Sequence, residues 1–235
     1  MTSELVPWTD GAVAREPVRA PAAPVGRLQM GPVPRPAGPY VRFAKPMIDR
    51  AVAVVALVLA AVPMLAIAGV VAVSMGRPVL FRQRRVGLDG VEFEVLKFRT
   101  MRPDRRSQRL DVIHDRRCTH KSDDDPRHTL IGRFLRRASL DELPQLLNVL
   151  RGEMSIVGPR PELVEVVGRY PPGLHQRHHV KPGLTGLWQV SARGSGPMHE
   201  NGHWDLAYVQ RVSLRTDLRI MAMTPAALFG ETSGS

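Results

Sequence analysis

Two adjacent carboxylates are the side chains of this 235-residue sequence best suited to chemistry. Asp141 and Glu142 follow Ser139, and the order Ser-Leu-Asp-Glu is typical of a capping box that begins a helix. Pro144 fits the first turn of such a helix. In this interpretation, Glu142 only bonds back to the backbone. In the alternative, Asp141 is a nucleophile toward phosphorus, stabilised by the helix N-terminus, and Glu142 beside it holds Mg²⁺.

Basic residues on both sides of this pair could bind the phosphate groups of such a reaction. Lys97 and Arg99 lie two positions apart at the end of a predicted strand, so both side chains project from one face of it. Arg160 lies between Pro159 and Pro161, and a rigid turn of this kind presents a guanidinium to a phosphate or carboxylate. Simpler interpretations stay open. Basic residues also protect edge strands from aggregation, and Arg160 could be an ordinary surface residue of a turn.

The uncharged run 51–75 predicts a membrane helix. About 20 apolar residues suffice to cross a bilayer core, and helices of soluble proteins seldom lack a polar face over such a length. Both flanks are basic, and basic residues favour the cytoplasmic side of a membrane. We therefore predict a re-entrant helix that bends at Pro63, with both ends facing the cytoplasm. A kinked helix that crosses the membrane is the alternative.

The sequence divides into four parts. Residues 1–39 are rich in proline without apolar periodicity, which predicts a disordered tail. Residues 40–76 form the membrane segment, residues 77–228 a catalytic domain, and residues 229–235 a flexible C-terminus. The predicted fold class is α/β, mixed and mainly helical: a re-entrant membrane helix with a small cytoplasmic domain.

Local patterns predict the elements of the catalytic domain. Residues 79–81 and 91–96 are rich in strand-forming types, and the Gly-Leu-Asp-Gly sequence at 87–90 predicts a turn between them. The strongly charged residues 102–128 predict a solvated loop. Apolar residues recur at helical spacing from Leu130 onward, and again in the last fifty residues.

Composition limits the classes of function. The chain has 33 Lys and Arg against 22 Asp and Glu, a formal net charge of +11, which indicates an anionic partner. The single cysteine, Cys118, excludes a disulfide within the chain. A membrane-tethered nucleic-acid-binding protein is one rival hypothesis, but aromatic residues make up only 5% and do not interleave with the arginines. An ordinary glycosyltransferase is the other, although we would expect a larger nucleotide-binding domain for it.

Taken in order, the motifs resemble those of the bacterial sugar transferases, the monotopic polyprenyl-phosphate phosphoglycosyl transferases. The resemblance extends from about Lys45 to about Thr224. It is carried by Lys97–Met101, Ser139–Leu146, Asn148–Leu150 with Gly152, Met154–Ser155, Val157–Pro161, Pro182–Gly186 and Tyr208–Leu218. Each motif alone is weak, whereas the ordered set is specific. The family has Ser-Pro or a similar pair at the helix break, and here Val62 precedes Pro63.

The resemblance implies a membrane enzyme with a two-step reaction. Asp141 would attack the β-phosphate of a UDP-sugar and release UMP, and polyprenyl phosphate, usually undecaprenyl phosphate, would then take the phosphosugar from the enzyme. Mg²⁺ is implied, with Glu142 as its protein ligand. By position, the family's basic site residues fall on Lys97, Arg136, Arg160 and Arg193.

The same resemblance implies a location and a set of partners. The protein would lie in the bacterial cytoplasmic membrane, with its catalytic domain on the cytoplasmic face, and would begin the assembly of a polysaccharide or glycoconjugate. Its partners would be a UDP-sugar, the lipid phosphate and the membrane, and not nucleic acid. The oligomeric state is open, a homodimer included.

Overall fold

The computed structural model describes residues 33–102, 129–191 and 201–229. For residues 228 and 229 it describes the backbone alone. Most of the predicted tail and of the charged loop therefore lies outside the described residues. So do Cys118, Arg193 and residues 230–235.

The first element is a long apolar helix, α1 (Lys45–Met75), which a short π-helical turn, Tyr40–Ala44, precedes. Within the described part of the chain, this is the one helix long and apolar enough to cross a membrane. Its middle is not covered by protein: Val58, Leu59, Val62 and Leu65 are 70% to 77% exposed. A core helix of a soluble protein would bury such side chains, so the exposed surface indicates a membrane protein.

Pro63 lies inside α1, and the residues on both sides of it are helical without an intervening loop. The helix nevertheless loses one backbone bond here, because Pro63 has no N–H to donate to the carbonyl of Leu59. The bend predicted at this residue stays a prediction.

The N-terminal end of α1 is attached by buried charges to the segment predicted as the catalytic domain. The Lys45 ammonium is 2.6 Å from a carboxylate oxygen of Asp217. One oxygen of Asp49 accepts from the Ser155 hydroxyl at 2.7 Å, and the other accepts from the Ile156 amide at 3.1 Å. Because breaking a buried charge pair leaves an uncompensated charge, this end of the helix is firmly held.

The C-terminal end of α1 is fastened to the same domain at a different place. The Arg99 guanidinium donates to the backbone carbonyls of Met75 and Gly76, which the end of the helix leaves without partners. Both ends of α1 therefore contact residues of the segment predicted as the catalytic domain.

Next comes an antiparallel hairpin, in which β1 (Leu80–Val86) pairs with β2 (Glu92–Phe98), from Leu80 opposite Phe98 to Val86 opposite Glu92. The turn Leu88–Gly90 uses positive φ angles at Asp89 and Gly90. This confirms the predicted hairpin and turn, with longer strands than the sequence indicated.

Short helices and strands complete the domain. They are α2 (Leu130–Arg137), α3 (Gln145–Arg151), β3 (Ser155–Val157), α4 (Val164–Val167), β4 (Gly183–Thr185), α5 (Leu187–Ser191), α6 (Gly202–Gln210) and α7 (Leu214–Phe229). Strands β3 and β4 pair in parallel. The predicted fold class, mixed α/β and mainly helical, is confirmed.

A buried asparagine connects α3 to the hairpin. The side chain of Asn148 accepts from the Leu96 amide at 3.0 Å and donates to the Glu94 carbonyl at 2.7 Å. The amide thus bonds β2 as a neighbouring strand would. Since Lys97 follows Leu96, this contact sets the position of Lys97 relative to the segment before α3, which contains Asp141 and Glu142.

Candidate active site

The two carboxylates lie in a strained turn and not at the start of a helix. Ser139 has φ 56° and ψ 18°, and its side chain makes no capping hydrogen bond. A 3-10 turn, Leu140–Glu142, follows, and α3 begins only at Gln145. The capping-box interpretation is therefore wrong. A left-handed non-glycine residue costs about 1–3 kcal/mol, and such strain concentrates at functional sites.

The Glu142 carboxylate, which the capping box would have used, instead binds two cations from distant parts of the chain. One oxygen is 2.8 Å from Lys97 Nζ and 2.7 Å from Arg160 Nη2. The other accepts from Arg160 Nη1 at 3.4 Å. Burial favours the neutral acid, but the charges of Arg160 and Lys97 outweigh it and hold the pKa of Glu142 well below its usual range. Glu142 is thus ionised at physiological pH.

Asp141 is more enclosed than its neighbour, with only 8% of its surface exposed. Burial raises the pKa of its carboxyl group, and the negative charge of Glu142 adds to this. Lys97, Arg136 and Arg160 act in the opposite direction. The surrounding cations therefore decide how much of this poorly solvated carboxylate is ionised, which suits a nucleophile in a basic pocket.

Helix α2 brings Arg136 into this group. The Thr129 hydroxyl caps the helix by accepting from the Gly132 amide at 2.9 Å, and Arg136 in the last turn donates to the Thr100 hydroxyl at 2.9 Å. A Cβ atom at Gly132 would lie 1.9 Å from the Thr100 carbonyl oxygen. Only glycine allows this close approach of α2 to the end of the hairpin.

The structure brings together most, but not all, of the residues that the sequence singled out. Asp141, Glu142, Lys97, Arg136 and Arg160 form one cluster. Arg99 lies apart from it, on the carbonyl groups at the end of α1, although it was predicted to share a phosphate with Lys97. Strand β2 ends at Phe98, so the alternation of side chains does not extend to Arg99. Arg193 lies outside the described residues.

Sequence reasoning missed Arg177, which holds the backbone of Arg160 in position. The buried guanidinium of Arg177 donates to the Arg160 carbonyl at 2.8 Å, to Asp205 at 2.6 and 2.9 Å, and to the Tyr170 hydroxyl at 3.1 Å. Although burial disfavours the cation, Asp205 raises the pKa of Arg177. No local pattern reveals this role, because Asp205 is distant in sequence and Arg177 stands beside two histidines that suggest a surface.

The chain matches the family model described as bacterial sugar transferase over residues 40–231. It is 43% identical over 221 residues to a UDP-glucose:undecaprenyl-phosphate glucose-1-phosphate transferase of Xanthomonas campestris pv. campestris, covering 89% of this chain and 43% of the relative. It is 40% identical over 197 residues to the exopolysaccharide production protein ExoY of Sinorhizobium fredii, covering 81% and 87%. An Escherichia coli protein with the same name as the Xanthomonas one is 40% identical, covering 78% and 39%. The chain thus spans less than half of the Xanthomonas and Escherichia relatives and most of ExoY.

Proposed function

Because the chain belongs to the bacterial sugar transferase family, we propose that it transfers a sugar 1-phosphate from a UDP-sugar to undecaprenyl phosphate and releases UMP. One observation carries the proposal: a buried aspartate, Asp141, stands beside a glutamate, Glu142, that forms ion pairs with Lys97 and Arg160. The names of the Xanthomonas and Escherichia relatives support the same reaction for glucose 1-phosphate. The name of ExoY supports a role in exopolysaccharide assembly.

The first step would make a covalent enzyme. An oxygen of Asp141 attacks the β-phosphorus of the UDP-sugar, and the bond from that phosphorus to the bridging oxygen of the α-phosphate breaks. UMP leaves with the bridging oxygen, and the sugar phosphate stays on Asp141 as an acyl phosphate. Lys97 and Arg160 would stabilise the charge on the transferred phosphoryl group; both bind Glu142, the neighbour of Asp141, which supports this role.

The second step would return Asp141 to its free state. An oxygen of the lipid phosphate attacks the phosphorus of the acyl phosphate, and the Asp141 carboxylate leaves. The product is a lipid diphosphate sugar. Arg136 would bind the incoming phosphate; its positive charge favours the ionised form of Asp141, which supports this role.

Magnesium belongs to the proposal as a cofactor, and the side chains present fit it. Among the described residues, no three His, Cys, Asp or Glu side chains form a ligand cluster. The protein would therefore supply one or two carboxylates, Glu142 and Asp141, while diphosphate and water supply the remaining ligands, as is usual for Mg²⁺. The ion would neutralise charge on the diphosphate. It would compete with Lys97 and Arg160 for Glu142.

The nucleotide that leaves the enzyme tests this function. Membranes containing the protein, incubated with a panel of UDP-sugars and undecaprenyl phosphate, should release UMP and form a lipid diphosphate sugar with at least one of them. Transfer of the sugar without its phosphate would release UDP instead. Chromatography of the nucleotides distinguishes the two reactions. UDP as the product would identify an ordinary glycosyltransferase, and no product with any UDP-sugar would contradict the proposal.

The re-entrant form of α1, with the catalytic domain on the cytoplasmic face of the cytoplasmic membrane, is part of the same proposal. Thirty-one helical residues would extend about 46 Å if straight, well beyond the roughly 30 Å core of a bilayer. If α1 crossed the membrane, its ends would lie on opposite sides. Yet Asp217 and Ser155 bind one end and Arg99 binds the other. A bend at Pro63 that returns the helix to its side of entry accommodates both sets of contacts.

Two cysteines test this topology. We expect Ala37→Cys before α1 and Val91→Cys after it, each in a Cys118→Ser background, to resist a membrane-impermeant thiol reagent in intact cells. Both positions are exposed on the protein, so both should react once the membrane is permeabilised. Gel shift of the tagged protein measures the reaction. Labelling of only one position in intact cells would identify a spanning helix.

A further inference from the structure

We propose that an apolar groove between α1 and α2 binds the isoprenoid chain of the lipid acceptor, an inference that rests on the proposed function. The groove has a volume of about 430 Å³, within the usual range of ligand sites. Its walls are apolar side chains of the second half of α1 and of α2. They include Ala66, Ile67, Val70, Leu130, Phe134 and Leu135.

The groove is open to the bilayer. Leu130 and Phe134 are 77% and 65% exposed along α2, and the neighbouring part of α1 presents exposed apolar side chains as well. Such large exposed side chains are costly in water, but not in lipid. A hydrocarbon chain could therefore enter sideways from the membrane without crossing a polar surface.

Continuity with the catalytic cluster distinguishes this groove from an ordinary lipid-facing surface. Leu135 lines it, and the next residue, Arg136, donates to the Thr100 hydroxyl at 2.9 Å, just beyond the strand that carries Lys97. One helix thus carries both the apolar wall and a cation that is bonded next to the end of β2, where Lys97 binds Glu142. A lipid phosphate likewise joins an apolar chain to a charged group. Its chain would lie in the groove while its phosphate approaches Arg136 and Asp141.

The groove is also formed in advance. The Thr129 cap fixes the start of α2, the Arg136 bond to Thr100 fixes its end, and Gly132 packs against the Thr100 carbonyl. A wall held at three places keeps its shape without the lipid, and binding to a preformed site avoids the cost of ordering it.

Filling the groove should weaken use of the lipid without affecting the first step. Ala66→Trp places an indole in the groove, and Ala61→Trp is the matched control, since Ala61 is another exposed alanine of α1 that does not line the groove. We expect Ala66→Trp to raise the KM for undecaprenyl phosphate about tenfold or more, comparable to losing the burial of roughly two methylene groups. The rate of labelling by radioactive UDP-sugar, measured without lipid, should equal that of the unchanged protein. Ala61→Trp should behave like the unchanged protein in both assays.

The outcomes separate this inference from the function on which it rests. An unchanged KM in Ala66→Trp, or an equal rise in Ala61→Trp, would mean that ordinary bilayer lipid covers the groove, and would overturn the inference. If Ala66→Trp also loses labelling, Ile67→Ala decides instead. It removes part of the wall without adding bulk, and should raise the KM several-fold with labelling intact. If its KM is unchanged, the inference fails. Failure of the unchanged protein to transfer sugar phosphate would reject the proposed function itself.

Discussion

Replacing Arg160 with lysine should reduce sugar-phosphate transfer about ten- to a thousand-fold, the range expected for a lost charge-stabilising group. Arg160 uses two nitrogens of its planar guanidinium on the two oxygens of Glu142, at 2.7 and 3.4 Å. A lysine ammonium keeps the charge but cannot bind both oxygens in that geometry. Initial rates of UMP release, measured with saturating lipid phosphate, give the size of the loss.

A matched arginine controls for general effects of the substitution. Arg151 is exposed in the last turn of α3, and no substrate role is proposed for it. Arg151→Lys should leave turnover near that of the unchanged protein. Both variants should extract from membranes normally, because Lys97 still pairs with Glu142 in Arg160→Lys. Near-normal turnover in Arg160→Lys would reduce Arg160 to a turn residue.

The parts of the site that could be predicted are those that depend on residue type and order. Asp141, Glu142, Lys97 and Arg160 carry chemistry that few other side chains supply, and their order along the chain matches one family. The hairpin and α1 follow from local composition, because turn residues and a long uncharged run have few other structural outcomes. These features needed no knowledge of distant contacts.

The predictions that were wrong or incomplete concern side chains with two possible partners. Ser139 and Glu142 fit a capping box, but Lys97 and Arg160 bind Glu142 more strongly than a backbone amide would, since both carry charge. Arg99 fits a phosphate site in the sequence, but in the structure it binds a carbonyl group at the end of α1. Local sequence cannot decide such competitions, because the winning partner comes from elsewhere in the chain.

The support of Arg160 was beyond sequence reasoning for the same reason. Arg177 reaches the Arg160 carbonyl only because Asp205, on α6, neutralises its charge inside the protein. Neither apolar periodicity nor a turn motif indicates that these two charges are buried together. Their role becomes apparent only in the structure, where Arg177 donates to the backbone carbonyl of Arg160.

Asp141→Asn should abolish formation of a labelled enzyme and reduce overall turnover by about four to six orders of magnitude, as loss of a covalent nucleophile does elsewhere. Asparagine keeps the shape of the side chain but cannot form the acyl phosphate. The ion pairs of Glu142 with Lys97 and Arg160 stay in place, so the cluster should keep its structure. The measurement is protein-bound radioactivity after mixing with labelled UDP-sugar in the absence of lipid. In the unchanged protein, this label should move to lipid when undecaprenyl phosphate is added.

Glu142→Gln provides the informative contrast to this loss. It leaves Asp141 present but removes the charge that Lys97 and Arg160 share, so labelling should be slowed and not abolished. If Asp141→Asn still accepts label, another residue is the nucleophile. If the unchanged protein never becomes labelled, and its kinetics require both substrates to be bound together, the transfer is direct. Asp141 would then serve as a metal ligand or orient the substrate, and the charge cluster around it would act on a single displacement.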